Sequence, residues 1–419
     1  MWLLRFVVVV GRSGALVRER ILMPTKILSI FGTRPEAIKM APVVKQLEST
    51  AGVESIVCVT GQHRTMLSQV LDLFGVRPHH DLALMTGNQT LNGLASRLIA
   101  SIDEVLASEQ PDRVLVHGDT TTACAAALAA FHRQIPVGHV EAGLRTGNLA
   151  QPWPEEMNRR VIDVMSDLMF APTDSSRTNL LAESLAGRII VTGNTVIDAL
   201  YLSAARIDAD AALRVQLDQT LAFLDPQQPV VLVTGHRREN FGAGFAEIIA
   251  ALGDLARSNV AQIVYPVHLN PNVREPVRQA LSGEPNVHLI EPLDYLTFVR
   301  LMQRSAVILT DSGGIQEEAP ALGKPVLVMR DVTERPEAIA AGTVRLVGTQ
   351  RETIVRETRT VLEYLAIGET FSGRSNPYGD GHASARIVAA LTGQPFHEFN
   401  PDGPGRISVG ATAREPLLR

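Results

Sequence analysis

Three carboxylates stand where apolar runs of the chain give way to small or basic residues. Asp119 sits in HGDTTTA, Glu141 in HVEAGLR near Arg145, and Glu155 in WPEEMNRR after a proline-rich turn. A charged group beside a buried strand end needs a partner or has a task. Together the three read as acid/base groups facing a cleft that binds a nucleotide-linked substrate. Each also has a plainer reading. Asp119 could be a helix N-cap over Thr121 and Thr122, and Glu155 with Glu156 could be a solvated first helical turn.

A second stretch suits phosphate. AVILTDSGGIQEEAP (306–320) reads as a buried strand to Thr310, a tight loop over 311–314, and a helix from Ile315. Ser312, Gly313 and Gly314 let backbone N–H groups approach a diphosphate at the positive end of that helix. Glu317 and Glu318 then stand near an attached ribose. The alternative is a glycine pair that serves packing only. Arg34 and Lys39 in GTRPEAIK (32–39) add cations for phosphate, and Pro35 opens a helix where proline is favoured. Five of the eleven histidines, His63, His117, His139, His236 and His268, occupy similar turns. There is no HExxH and no CxxC, and arginines flank His63 and His236, which suits an anion better than zinc.

Elements that could position these groups repeat along the chain. Apolar runs lie at 26–32, 54–61, 112–119, 135–143, 168–174 and 187–194. Six more lie at 229–237, 262–268, 286–293, 306–314, 324–331 and 343–349. They are rich in Val, Ile and Leu without polar alternation, the signature of parallel strands covered on both faces. Six units and then six predict an α/β protein of two Rossmann-like, doubly wound parallel-sheet domains facing a cleft. The polar motifs fall at the C-terminal ends of the runs, where open parallel sheets bind ligands.

The 419 residues suffice for two full cores, and 45% hydrophobic with 20% charged residues is ordinary for a soluble protein. A net charge of −5 argues against a general nucleic-acid binder. No apolar run approaches the roughly 18 residues of a membrane span. Cys58 and Cys124 read as core thiols in a reducing, cytoplasmic compartment. We expect residues 1–23 to lie outside the fold, with Met23 the natural start or residues 1–22 a loose extension. An N-terminal domain over 24–200 would carry the acid/base groups, and a second over 201–380 would bind the nucleotide. A helix over 381–395 would pack back on the first domain, and 396–419, rich in Gly and Pro, would be a mobile tail.

Ten motifs, in order, resemble one family. GTRPEAIKMAP, TGQHRTML, HGDTTT, HVEAGLRT, WPEEMNR, HRREN, PVHLNP, TDSGGIQEEAP, ERPEA and NPYGDGHAS are similar to those of the bacterial non-hydrolysing UDP-N-acetylglucosamine 2-epimerases, from about Lys26 to about Gln394. The resemblance implies the glycosyltransferase-B arrangement and reversible inversion at carbon 2 of UDP-GlcNAc to give UDP-ManNAc. UDP would be eliminated to leave 2-acetamidoglucal and then re-added, with no redox cofactor and no metal. It also implies a homodimer.

Carried over by motif, Asp119, Glu141 and Glu155 are the acid/base carboxylates, and sequence does not choose among them for the carbon 2 proton. His236 would stabilise the leaving diphosphate. Arg34 and Lys39, with Ser312, Gly313 and Gly314, would hold UDP. Glu318 would bind the ribose, and Phe298 and Arg335 the nucleotide end. Gln62, His63, Arg237 and His268 resemble a second, activating UDP-GlcNAc site. One departure is Leu293, where the family often has glutamine in EPxDY; only a backbone contact to uracil would survive it. A C2 epimerase of a modified UDP-sugar, a glycosyltransferase of the same fold and a non-catalytic nucleotide-sugar sensor are the alternatives.

Overall fold

The computed structural model describes residues 7–10, 16–19, 24–61, 64–84, 89–235, 242–333, 335–371 and 375–409. Strands β1 (Val7–Val10) and β2 (Leu16–Glu19) pair antiparallel with each other, as a two-stranded sheet apart from the two large ones. The first large sheet contains β3 (Thr25–Phe31), β4 (Val53–Val59), β5 (His80–Asp81), β6 (Arg113–His117), β7 (Val137–Val140), β8 (Leu168–Ala171) and β9 (Arg188–Val191). Its order is β5-β4-β3-β6-β7-β8-β9. The second contains β10 (Val230–Thr234), β11 (Gln262–Pro266), β12 (Val287–Ile290), β13 (Val307–Thr310), β14 (Val326–Val328) and β15 (Val344–Leu346), in the order β12-β11-β10-β13-β14-β15.

Every pairing within these two sheets is parallel. The expected two-domain α/β architecture is therefore what forms, and all twelve apolar runs supply a strand. Helices on both faces exclude water from the strands: β6 and β8 are buried along their whole length. The thirteenth strand, β5, is a two-residue edge segment without an apolar run to announce it. In both sheets the chain reverses direction across the sheet beside the first strand, between β3 and β6 and between β10 and β13. Loops leaving those strands diverge to opposite faces and open a crevice, so each lobe has one ready-made ligand position.

The helix Thr195–Ala209 joins the lobes. Its Val196, Ile197 and Leu200 pack with Leu232 and Ile308 of the second sheet, so the expected boundary at 200/201 falls inside a continuous helix. The helix Ala383–Thr392 places Ile387, Val388 and Leu391 in one cluster with Ile27, Phe31 and Met40 of the first lobe.

The tail expected to be mobile from residue 396 is instead docked as far as residue 409. Strands β16 (Pro395–His397) and β17 (Ile407–Val409) pair with each other. Phe399 is buried, and its N–H donates to Val191 O at 2.9 Å. The Glu398 carboxylate accepts from Val191 N at 3.2 Å and from Arg177. β9 is the edge of its sheet, and its free backbone groups supply the reason for docking. Residues 410–419 lie outside the described residues.

Candidate active site

The loop after β3 begins the site. Thr33 caps the helix Arg34–Glu48 in a capping box: Glu36 N donates to Thr33 Oγ1, and the Glu36 carboxylate takes the N–H of Thr33 at 2.7 Å and of Gly32 at 2.9 Å. Glu36 also accepts from Thr120 Oγ1, at 2.5 Å, in the loop after β6. One buried carboxylate thus ties together the two loops that flank the crevice. Burial raises its pKa, with these hydrogen bonds opposing.

Cap and proline fix the start of this helix, which sends Arg34 and Lys39, about 1.4 turns apart, into the crevice. Arg34 reaches the second lobe, where its guanidinium donates to Leu293 O at 3.2 Å. The side chain at 293 is irrelevant to that contact, so the departure from the family glutamine leaves it intact.

Lys39 and Glu141 form a largely buried ion pair. Glu141 follows β7 with a φ of +68°, a left-handed conformation that strains any residue with a Cβ. Such strain costs about 1–3 kcal/mol and persists where surrounding contacts impose it. Here Asn194 Nδ2 donates to Glu141 Oε1 at 2.9 Å, and His117 Nε2 lies 3.6 Å from Oε2. Burial raises the Glu141 pKa, but the charge and hydrogen bond of Lys39, with the charge of Arg335, outweigh it and hold the carboxyl well below the usual range. Burial pushes the neighbouring His117 down to about 3, so at neutral pH it is an uncharged imidazole. Neither of its nitrogens has a hydrogen-bond partner among the described residues.

Asp119 is not the helix cap. Thr120 takes that position, accepting from Ala123 N at 3.1 Å. The Asp119 carboxylate turns instead to Arg159, 2.6 Å from one guanidinium nitrogen and 2.9 Å from Nε. Asn158 donates to its backbone carbonyl at 2.7 Å. Behind this loop His139 is fully buried, with Nε2 2.8 Å from Gly118 O and Nδ1 2.6 Å from Asp163. Arg145 completes that cluster by donating to Asp163 and Glu183.

The adjacent glutamates separate. Glu156 is fully buried and holds the loop by accepting from Thr146 N and Gly147 N. Glu155, the first residue of the helix Glu155–Met165, keeps a buried Oε2 with no hydrogen-bond partner among the described residues. Neither is a solvated first turn.

From the second lobe, the helix Gly313–Ala321 starts two residues earlier than expected. Ser312 is its N-cap but makes no side-chain cap bond. Its N–H is occupied by Thr310 Oγ1, at 2.9 Å. Glu317 pairs with Arg335 and accepts from Asn194 at 2.9 Å. Glu318 accepts from the Tyr295 hydroxyl at 2.8 Å, and burial pushes its pKa up to about 7.

Arg34, Lys39, His117, Asp119, Glu141, Arg159 and Arg335 line one cavity of about 540 Å³, a size that suits a small ligand. Arg335, expected at the nucleotide end, lines this cavity with Lys39, Asp119 and Glu141. Glu155 and Phe298 do not line this cavity, and Phe298 packs against the second-lobe core. A larger groove of about 920 Å³, between the helices Ala243–Arg257 and Pro271–Leu281, contains none of the residues singled out by sequence. His268 is exposed on the second lobe, accepting from Asn270 N at 3.1 Å. Gln62, His63, His236 and Arg237 lie outside the described residues. Among the described residues no group of three His, Cys, Asp or Glu is placed to hold a metal. Glu36, Arg159 and Asn194 were not singled out by sequence, although Arg159 stands in WPEEMNRR and Asn194 in the turn GNT after an apolar run.

A family model described as UDP-N-acetylglucosamine 2-epimerase matches residues 45–392. The chain belongs to the UDP-N-acetylglucosamine 2-epimerase family. It is 55% identical over 368 residues to the UDP-N-acetylglucosamine 2-epimerase of Escherichia coli K12, covering 87% of this chain and 98% of that protein. The crystal structure of the Neisseria meningitidis epimerase bound to UDP-GlcNAc aligns with a TM-score of 0.80 at 53% identity, over 87% of this chain and 98% of that one. The Methanocaldococcus jannaschii epimerase, in complex with UDP-GlcNAc and UDP, aligns with a TM-score of 0.74 at 32% identity, over 88% and 99%. The family resemblance carried by the ten motifs and the glycosyltransferase-B fold are thereby established. The cavity brings two of the expected carboxylates, Asp119 and Glu141, together with the cations Arg34, Lys39, Arg159 and Arg335.

Proposed function

We propose that this chain interconverts UDP-GlcNAc and UDP-ManNAc by eliminating and re-adding UDP. A carboxylate takes the carbon 2 proton as the bond from carbon 1 to the diphosphate oxygen breaks. The electron pair of the C–H bond becomes the C1–C2 double bond of 2-acetamidoglucal, and the negative charge leaves on UDP. In the return step a diphosphate oxygen bonds to carbon 1 while an acid delivers a proton to the opposite face of carbon 2. Asp119, Glu141 and Glu155 are the candidates for the two proton roles. Arg34, Lys39 and the first turn at Ser312–Gly314 stabilise charge on the leaving diphosphate, and Glu318 takes the ribose. A closed cleft keeps glucal and UDP together between the steps.

The observation that carries this reading is the cavity in which Lys39, Glu141 and Asp119 of one lobe meet Arg335 of the other. It is supported by the relatives that bind UDP-GlcNAc. The test is incubation of the protein with UDP-GlcNAc in deuterated water. Deuterium at carbon 2 together with UDP-ManNAc is expected. Neither exchange nor product would overturn the reading, and product only from a modified UDP-sugar would redirect the substrate.

We also infer a cytoplasmic homodimer. The location is supported by two free thiols, Cys58 and Cys124. No described helix is long and apolar enough to cross a membrane. The dimer is supported by Met157, Val161 and Val164, exposed on one face of a helix, with Trp153 just before it and Phe131 on the helix beside it. Sedimentation at the mass of one chain would remove that inference.

A further inference from the structure

Asn194 follows β9 and is the N-cap of the helix that joins the lobes. Its Oδ1 accepts from Val196 N at 3.1 Å, and its own N–H donates to Tyr378 O, where the chain returns from the second lobe. Its Nδ2 donates to two carboxylates, Glu141 Oε1 of the first lobe and Glu317 Oε2 of the second, each at 2.9 Å. The amide orientation is fixed by these partners: Val196 N–H needs an acceptor and both carboxylates need donors. Asn194 is 3% exposed, so water does not substitute for it.

Two buried carboxylates converging on one point repel unless a donor stands between them. Lys39 compensates Glu141 from one side and Arg335 compensates Glu317 from the other. Among the described residues, Asn194 is the one neutral group that hydrogen-bonds to both. We propose that Asn194 is a positioning residue of the epimerase site, which orients the Glu141 carboxylate and couples it to the nucleotide-binding lobe through Glu317. This rests on the reading of Glu141 as an acid/base group. Glu317 lies in the same helix that begins at Gly313. Seating of that helix against the first lobe and alignment of Glu141 thus pass through one amide.

The alternative is that Asn194 only caps its helix. Serine and aspartate cap about as well as asparagine, and this separates the readings. Asn194→Ser keeps a capping oxygen but removes both donors to the carboxylates. Asn194→Asp keeps size and cap but points a third carboxylate at the other two. The groups facing Glu141 are Lys39 from the helix Arg34–Glu48, His117 at the end of β6, Arg335 from the second lobe and, through Asn194, Glu317. Removing a donor to the ionised form raises the Glu141 pKa.

Turnover, KM and pH profile are to be measured on both full-length variants beside the unmodified protein. For Asn194→Ser, kcat should fall about ten- to a hundredfold, the range for a hydrogen bond to a charged group. KM should change less than about threefold, and the acid limb of the kcat profile should move to higher pH. Asn194→Asp should lose more. Unchanged kcat and pH profile in Asn194→Ser would overturn the proposal. Unfolding of both variants would also overturn it, since a structural role would then account for the loss. An inactive unmodified protein would instead sink the epimerase reading.

Discussion

The two lobes share one strand order over six strands, the first adding a seventh at its edge, and one kind of ligand crevice, yet they treat a buried glutamate in opposite ways. Glu141, in the first lobe, is buried beside Lys39 and held ionised by it. Glu318, in the second, is buried beside a neutral tyrosine hydroxyl, and burial pushes its pKa up to about 7. The first lobe brings its own counter-charges: Lys39 to Glu141, Arg159 to Asp119 and Arg145 to Asp163. The second offers a helix start of small residues at Ser312, Gly313 and Gly314. On the proposed function, the same fold would divide the labour, with proton chemistry on one side and nucleotide retention on the other, and residues at four strand ends would decide which.

The sharpest way to break this division is at Asp119. Asp119→Asn keeps the size of the side chain and an acceptor for Arg159 but removes an acid/base group. Turnover should fall by about 10²–10⁴-fold, while the affinity for UDP changes less than about threefold. Steady-state kinetics and calorimetric titration with UDP check the two halves. An equal loss in both would make Asp119 a structural residue and dissolve the contrast.

The complementary change is Gly314→Val. A Cβ there would lie 3.8 Å from Glu318 Oε2 and 4.0 Å from Ser312 Oγ, ordinary contact distances. Folding should survive, with a melting temperature within about 2 °C of the unmodified protein. The branched side chain would occupy the approach to the helix start, and UDP should bind about ten- to a hundredfold more weakly, a loss of about 1.4–2.8 kcal/mol. Unchanged UDP affinity would return the glycines to a packing role.

Most of the frame was legible in the sequence because burial on both faces writes an unmistakable apolar run, and all twelve runs became strands. β5 escaped because an edge strand of two residues, His80–Asp81, needs no such run. The docked tail escaped because 396–409 has no apolar periodicity and is broken by Pro401, Gly403, Pro404 and Gly405, while its anchors, Glu398 and Phe399, act on the edge of β9 roughly two hundred residues away. The site divides in the same way. Asp119, Glu141, Arg34 and Lys39 could be found at strand ends. Asn194 could not, because its partners lie 53 and 123 residues away. The early helix start at Gly313 was hidden because a glycine pair reads as loop.

The smallest effect tests the second lobe alone. The unfolded-state reference for a glutamate is 4.5, and Glu318 in the folded chain is pushed up to about 7. Below pH 4.5 both states hold the proton. Between these values only the folded state does, so stability falls as pH rises through this window and levels off above it. Glu318→Gln removes the titration while keeping an acceptor for the Tyr295 hydroxyl. The variant should match the unmodified protein near pH 4 and gain stability progressively toward pH 8, by up to about 3 kcal/mol. Urea unfolding at the two pH values measures it. A difference that does not grow between them would mean that the Glu318 carboxyl is ionised in the folded chain like Glu141, and the contrast between the two buried glutamates would fail.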